Sequence, residues 1–204
     1  MAILWPCPLS PSSYAAAGRA IAVPAQACPD CGRPLTGWGG YWRWVRTDGD
    51  PEQRLWIRRG WCPRCRRAQA LLPSFLLVRR LDAVQRIGAG MEQATAGSGG
   101  RTIAERLGLP HTTVRDWGRR CRARAPTLLR ALLRLATTLD PAPVPLRTDG
   151  AGAVVEALAS TWERAHRYLG ERLPDRWSLL RLISGGRALA AHTSPPFPAA
   201  RTGR

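Results

Sequence analysis

RTIAERLGLPHTTVRDWGRR, residues 101–120, reads as a helix, a tight turn and a second helix. Gly100 is taken as position one of a helix-turn-helix of roughly twenty residues. Ala104 then falls at position five, Gly108 at nine and Val114 at fifteen. Each place has a physical demand. The fifth needs a small side chain, because the second helix crosses close to it. The ninth favours glycine, because the turn needs a positive φ. The fifteenth must be apolar to pack the second helix onto the first. Ile103, Leu107, Leu109 and Trp117 complete the expected buried face. A purely structural helical hairpin would share part of this pattern.

The second helix is expected to begin near Pro110, a residue compatible with a first helical turn. Its exposed face would carry His111, Thr112, Thr113, Arg115, Asp116 and Arg119. Thr112, Arg115 and Arg119 recur at helical spacing and could reach base edges in a major groove, arginine reading guanine. Arg120, Arg122 and Arg124 continue beyond and are expected at phosphates. Arg101, on the first helix, joins this DNA-binding set. A solvated basic face is the plain alternative, and His111 alone reads equally as a cap.

Upstream, Cys28 and Cys31 stand in CPDC, and Cys62 and Cys65 in CPRC. Two residues between cysteines let both thiolates of a tight turn face one metal. Two such knuckles make a tetrahedral four-thiolate site. Gly32 suits the turn of the first knuckle. WGGYWRWVR (38–46) and RLWIRRG (54–60) read as strands, with the Asp-Gly signal of TDGD (47–50) between them. That hairpin would bring the knuckles together as a zinc ribbon. The expected cofactor is structural Zn2+, closed to water by four cysteines and replacing a core too small to hold about fifty residues. Iron in the same cage is one alternative. A thioredoxin-like redox pair would need a βαβ context that is absent here. Cys7 and Cys121 read as ordinary small residues, with Cys7 a remote candidate ligand. Trp38, Tyr41, Trp42, Trp44, Trp56 and Trp61 could stack on single-stranded bases. The simpler reading makes them the core of the ribbon.

The 204-residue chain has a formal net charge of +17, and every basic residue is arginine. Such a surplus favours polyanions. It concentrates in two stretches: nine arginines against Asp82 in 54–86, and eight against Glu105 and Asp116 in 101–130. The N-terminus lacks a basic lead and carries Pro6 and Pro8, so it reads poorly as a signal peptide. No apolar run approaches the roughly 20 residues of a membrane span. The expected localisation is cytoplasmic and nucleoid-associated, where six cysteines are not expected to form a disulfide framework.

The expected fold class is α+β: a small β-rich four-cysteine zinc ribbon, then an all-α helix-turn-helix and C-terminal helices. The expected divisions are an N-terminal arm at 1–25, the ribbon at 26–77, the helix-turn-helix region at 78–125, a C-terminal helical region at 126–186 and a disordered tail at 187–204. The arm is Pro- and Ala-rich and is expected to be loosely ordered, with room for one strand. A helix is expected over 78–96, with Val78, Leu81, Val84 (or Gln85) and Gly88 on one face. Pro126 is expected to restart the helical pattern at 127–139. A Pro/Gly linker follows at 140–152, then helices at 153–170 and 174–185, the latter opening on Pro174. Leu128, Leu132, Leu135 and Leu139 form one apolar stripe; Val154, Leu158, Trp162 and Ala165 form another. These read first as an intramolecular core. A homodimer reading two half-sites is the assembly that a helix-turn-helix suggests.

CPDCGRPL, WGGYWR, IRRGWCPRC, ALLPSFLLVRRLD and RTIAERLGLPHTTVRDWGRRCRARA together resemble uncharacterised actinobacterial proteins with a zinc ribbon and a helix-turn-helix. That family, a domain of unknown function, is similar to the N-terminal DNA-binding part of insertion-sequence transposases. The resemblance covers about residues 20–125. It implies a zinc ribbon, a winged or homeodomain-like helix-turn-helix and DNA binding, but no known activity. A histidine expected after the second knuckle is absent, since the chain reads Arg67-Ala68-Gln69-Ala70 there.

Catalytic chemistry is not expected. A transposase of the common type needs three carboxylates on an RNase H-like fold. The late acids Asp140, Asp149, Glu156, Glu163, Glu171 and Asp175 sit in a helical, not an alternating, pattern. His-x-His, G-x-S-x-G and G-x-x-x-x-G-K-[ST] motifs are missing. The reading is therefore a zinc-stabilised, sequence-specific protein that binds double-stranded DNA and no membrane. It would be transposase-derived or a transcriptional regulator, without its own catalytic domain. An active or degenerate transposase or recombinase subunit is one alternative. A zinc-ribbon adaptor for RNA or protein is the other.

Overall fold

Four strands form one sheet in the order β1-β4-β3-β2. They are β1 (Ala2–Trp5), β2 (Thr36–Thr47), β3 (Asp50–Cys62) and β4 (Arg67–Pro73). The computed structural model describes residues 2–47, 50–78, 80–172 and 175–189. β2 and β3 are the expected hairpin, paired Tyr41↔Ile57, Trp42↔Trp56, Arg43↔Leu55 and Trp44↔Arg54. Residues 48 and 49 of the expected turn lie outside the described residues, as do Pro174 and the tail from 190 onward.

The N-terminal stretch is part of the sheet, more ordered than the expected arm. β1 runs parallel to β4, with Ile3↔Leu71 and Leu4↔Leu72. Pro6 and Pro8 follow the strand, so neither removes a ladder hydrogen bond. Helix α1 (Pro11–Ala17) starts at Ser10, whose hydroxyl accepts from the Ser13 N–H at 3.1 Å. It buries Tyr14, which sets its ring edge-on to Phe75 at 5.4 Å and donates from its hydroxyl to the Trp56 carbonyl at 3.0 Å. Trp5, Cys7, Tyr14 and Ile21 join Val45, Leu55, Ile57, Leu71 and Leu72 in the core.

The helix expected over 78–96 begins only at Val84, as α2 (Val84–Thr95). Val78 and Leu81 are about half exposed. The reason lies in the edge of β2. The Arg46 N–H donates to the Leu81 carbonyl at 2.7 Å, and the Ala83 N–H donates to the Arg46 carbonyl at 2.9 Å. Residues 81–83 must stay extended to satisfy that edge. On α2, Gly88 is needed for packing: a Cβ there would sit 2.2 Å from Trp177 Nε1 of helix α6 (Arg176–Ile183).

Helices α3 (Gly100–Leu107) and α4 (His111–Leu139) follow. α4 passes through Pro126 without a break, so the division expected between 125 and 126 falls inside one helix. An interior proline costs about 3 kcal/mol. Cys121, Ala125, Leu128, Leu132 and Ala136 form one continuous buried stripe across it, and that packing outweighs the missing hydrogen bond. Helix α5 (Gly150–Leu169) runs alongside α4 in the same direction. Thr161 donates to Leu132, Arg164 to Ala136 and Tyr168 to Leu139, each to a carbonyl. The Pro-rich residues 140–149 therefore act as an extended strap leading back along α4. The two expected apolar stripes meet here within the chain, although Leu135, Leu139 and Trp162 are only half-buried.

Candidate metal centre and basic helical face

Hydrogen-bonded turns build the two knuckles alike. The Gly32 N–H donates to the Cys28 carbonyl, and the Arg66 N–H to the Cys62 carbonyl, each at 2.8 Å. Both donors take a left-handed φ, 72° at Gly32 and 52° at Arg66. The first knuckle spends a glycine on that conformation; the second forces an arginine into it. The left-handed region costs a non-glycine residue about 1 kcal/mol or more. Arg66→Gly is expected to raise the stability of the metal-loaded protein by ~0.5–1 kcal/mol, after the added chain entropy of glycine. Thermal melting checks this; a lower melting temperature would mean that the exposed arginine makes contacts outweighing its strain.

The sheet then closes the cage. Cys62 ends β3, and the short antiparallel pair of β3 with β4 matches Cys62 to Arg67. The four Sγ atoms of Cys28, Cys31, Cys62 and Cys65 lie within 4.8 Å of one another. Cys31 and Cys62 are 3.5 Å apart, and Cys28 and Cys65 3.8 Å. Thiolates held tetrahedrally at about 2.3 Å from one ion have edges of about 3.8 Å. A disulfide would need about 2.05 Å, and all six cysteines are free. The donor set thus fits a metal ion. The Cys65 backbone N–H donates to Cys62 Sγ at 3.4 Å and draws that thiol down to about 7. Beside it, the Cys31 sulfur holds the Cys65 thiol up, to about 12. Thiolates crowded this closely require a cation to ionise together.

Cys7 and Cys121 are not in this cluster. Both are core residues whose thiols burial pushes up to about 11. β4 begins at Arg67, and its Gln69 side chain is buried in the position where a histidine was considered.

The helical hairpin is set by its turn. Gly108 adopts φ 59° and ψ 43°, and the Leu109 N–H returns to the Ala104 carbonyl at 2.9 Å. Ile103, Ala104, Leu107, Leu109, Val114 and Trp117 are all buried. Of the nine DNA-contact candidates, Arg101, His111, Thr112, Arg115, Arg119 and Arg122 are exposed. Thr113 is half-buried. Asp116 engages Arg119 at 3.4 Å and Arg120 at 3.3 Å. Arg124 points the other way: its guanidinium donates to the Arg187 and Ala188 carbonyls at 2.9 and 2.8 Å. It ties the C-terminal segment to α4.

Residues 28–117 match the model of one family, described as Domain of unknown function (DUF6431). The match begins at the first cage cysteine and ends at Trp117, so the family unit contains the whole cage and the α3–α4 turn. It is narrower than the resemblance read over 20–125. No curated protein and no solved structure matches the chain.

Several structural residues escaped the sequence reading. Arg86 is buried and joins β2, α2 and α3. The expected ribbon core is also different: Trp38, Tyr41, Trp42 and Trp44 lie on the surface. The apolar residues that do fill the sheet's core are Val45, Leu55 and Ile57 of the hairpin itself, with Trp5, Tyr14, Leu71 and Leu72 from β1, α1 and β4. Among the late acids, Asp175 caps α6 by accepting from the Trp177 and Ser178 N–H groups, and Glu156 accepts from those of Arg147 and Thr148. Among the described residues, no helix is long and apolar enough to cross a membrane.

Proposed function

We propose that this chain is a zinc-stabilised protein that reads double-stranded DNA in a sequence-specific way, with α3 and α4 as a helix-turn-helix. The observation that carries the reading is the division of the first turns of α4. Val114, Trp117 and Cys121 are buried, while Thr112, Arg115 and Arg119 are exposed at helical spacing on the other side. A recognition helix needs that division, with base-reading side chains near its N-terminus. Arg101 and Arg122 stand ready for phosphates, and the positive surplus adds sequence-independent attraction. Arg119 would exchange a solvent-screened contact to Asp116 for DNA at little cost, while the half-buried Arg120 holds Asp116 from the core side. Zinc is the ion assigned to the four-thiolate cage, because that donor set and tetrahedral geometry suit it. A transcriptional regulator or a transposase-derived binder at the nucleoid is the role this chemistry supports, with homodimers on paired half-sites.

Selection of bound duplexes from a random pool, with zinc-loaded protein at near-physiological salt, tests the reading. An enriched motif is expected. Arg115→Ala and Arg119→Ala are each expected to weaken binding to it by about 5- to 150-fold, corresponding to ~1–3 kcal/mol per bidentate base contact. Enrichment of no motif, with only salt-sensitive retention, would defeat sequence-specific reading.

A further inference from the structure

One outward face of the β2–β3 hairpin carries a continuous ladder of indole and guanidinium groups that the helical reader does not use. Directly paired residues share a face, and here Trp44 pairs with Arg54 and Trp42 with Trp56. The Arg54 guanidinium lies 5.5 Å from the Trp44 ring centre and 5.4 Å from that of Trp42. Trp42 meets Trp56 at 5.3 Å, edge to face. Arg19 then covers Trp56 at 4.8 Å. Trp44 is 52 % exposed and Trp42 37 %, so both present ring surface to solvent.

From the ladder we infer that this face is a binding site for single-stranded nucleic acid. Two features select that occupant. The first is charge. Arg54 and Arg58 of β3 share the face of Trp42 and Trp44, and Arg19 adds a third guanidinium, against Glu52 at the edge beside Trp44. A polyanion complements such a face, and a flexible strand can follow it. The second is geometry. Exposed rings alternating with guanidinium planes offer stacking positions to successive bases, and stacking needs no base-specific hydrogen bond. Duplex bases are already stacked on each other and cannot use the rings. The site therefore differs in substrate from the helical face, and each can be lost without the other.

The test is fluorescence anisotropy of a labelled oligothymidine and of a duplex of equal length, with the full metal-loaded chain. Tryptophan quenching is followed in parallel. Wild type is expected to bind the single strand, more weakly as salt rises. Trp44→Ala and Arg54→Gln are each expected to weaken that binding about tenfold and to leave duplex binding unchanged. Trp44→Phe should recover most of the loss. The paired variant Arg115→Ala/Arg119→Ala should show the reverse pattern. Metal content and melting temperature confirm that each variant folds, and Arg54→Gln alters no core residue should Trp44→Ala fail to fold. Single-strand binding that ignores both Trp44→Ala and Arg54→Gln would overturn the inference. So would no single-strand binding at low salt. Trp44-dependent binding of polyglutamate without oligonucleotide binding would overturn it in favour of a protein partner.

Discussion

Cys62→Ser is expected to abolish metal retention and to unfold one end of the sheet while the helices stay intact. Between Ala22 and Trp44, Cys28 is the one buried residue. That end has almost no apolar core, and an ion held by the four sulfurs would supply its stability. Structural zinc in small domains contributes about 10–16 kcal/mol of apparent binding free energy at neutral pH, and three thiolates with a hydroxyl retain far less. At the other end, Val45, Leu55 and Ile57 pack with Trp5, Tyr14, Leu72 and Phe75. This part should survive metal loss. Stacked Trp38 and Trp61, with ring centres 4.9 Å apart near the cage, provide the reporter. Near-ultraviolet dichroism should lose that contribution in Cys62→Ser and in chelator-treated wild type. Helical dichroism should fall little, and a cooperative thermal transition should remain. Elemental analysis should find less than one ion per chain. Retained stoichiometric metal in Cys62→Ser would defeat the four-sulfur assignment. Collapse of the helical signal would defeat the division of the fold into metal-held and core-held parts.

The features legible in sequence were those set by local spacing. Two CPxC turns and a strand-like stretch between them were enough to bring the four sulfurs together. Gly108 and the apolar positions around it were enough to place the turn and the buried side of α3 and α4. What could not be read depended on partners far along the chain. AILW pairs with residues 70–73, and nothing within β1 itself announces a parallel partner so distant. Leu81, Asp82 and Ala83 fit a helical period but are held extended by Arg46. Pro126 is a helix breaker by intrinsic propensity; only the packing of α4 shows why it is tolerated. The tryptophans misled for a related reason. Hydrophobicity alone placed them inside, whereas the strand register puts Leu55 and Ile57 inward and Trp42 and Trp44 outward.

Arg86→Met is expected to destabilise the protein by about 3–5 kcal/mol, the usual cost of breaking one member of a buried ionic cluster. The methionine preserves much of the volume and removes the charge. In the wild type, Arg86 Nη1 donates to the Thr47 carbonyl at the end of β2 at 2.9 Å. Nη2 donates to the Leu107 carbonyl at the end of α3. Nε faces Asp82 Oδ1 at 3.5 Å, and Arg46 Nε reaches the same oxygen at 3.0 Å. Asp82 is itself buried. One guanidinium on α2 thus joins the cysteine-bearing hairpin to the helix that ends at the Gly108 turn. Its loss takes a charged hydrogen bond from two carbonyls and leaves Asp82 with Arg46 alone. Arg86→Lys should recover little, because an ammonium cannot reproduce the planar fork that reaches three separate acceptors. Asp82→Asn combined with Arg86→Met should be less damaging than the sum of the two changes, since the Arg86–Asp82 contact can be lost only once. Denaturant unfolding of the three variants and the wild type checks these expectations. A loss below ~1 kcal/mol in Arg86→Met would show that the hairpin and helices are held together by apolar packing, without need of this side chain.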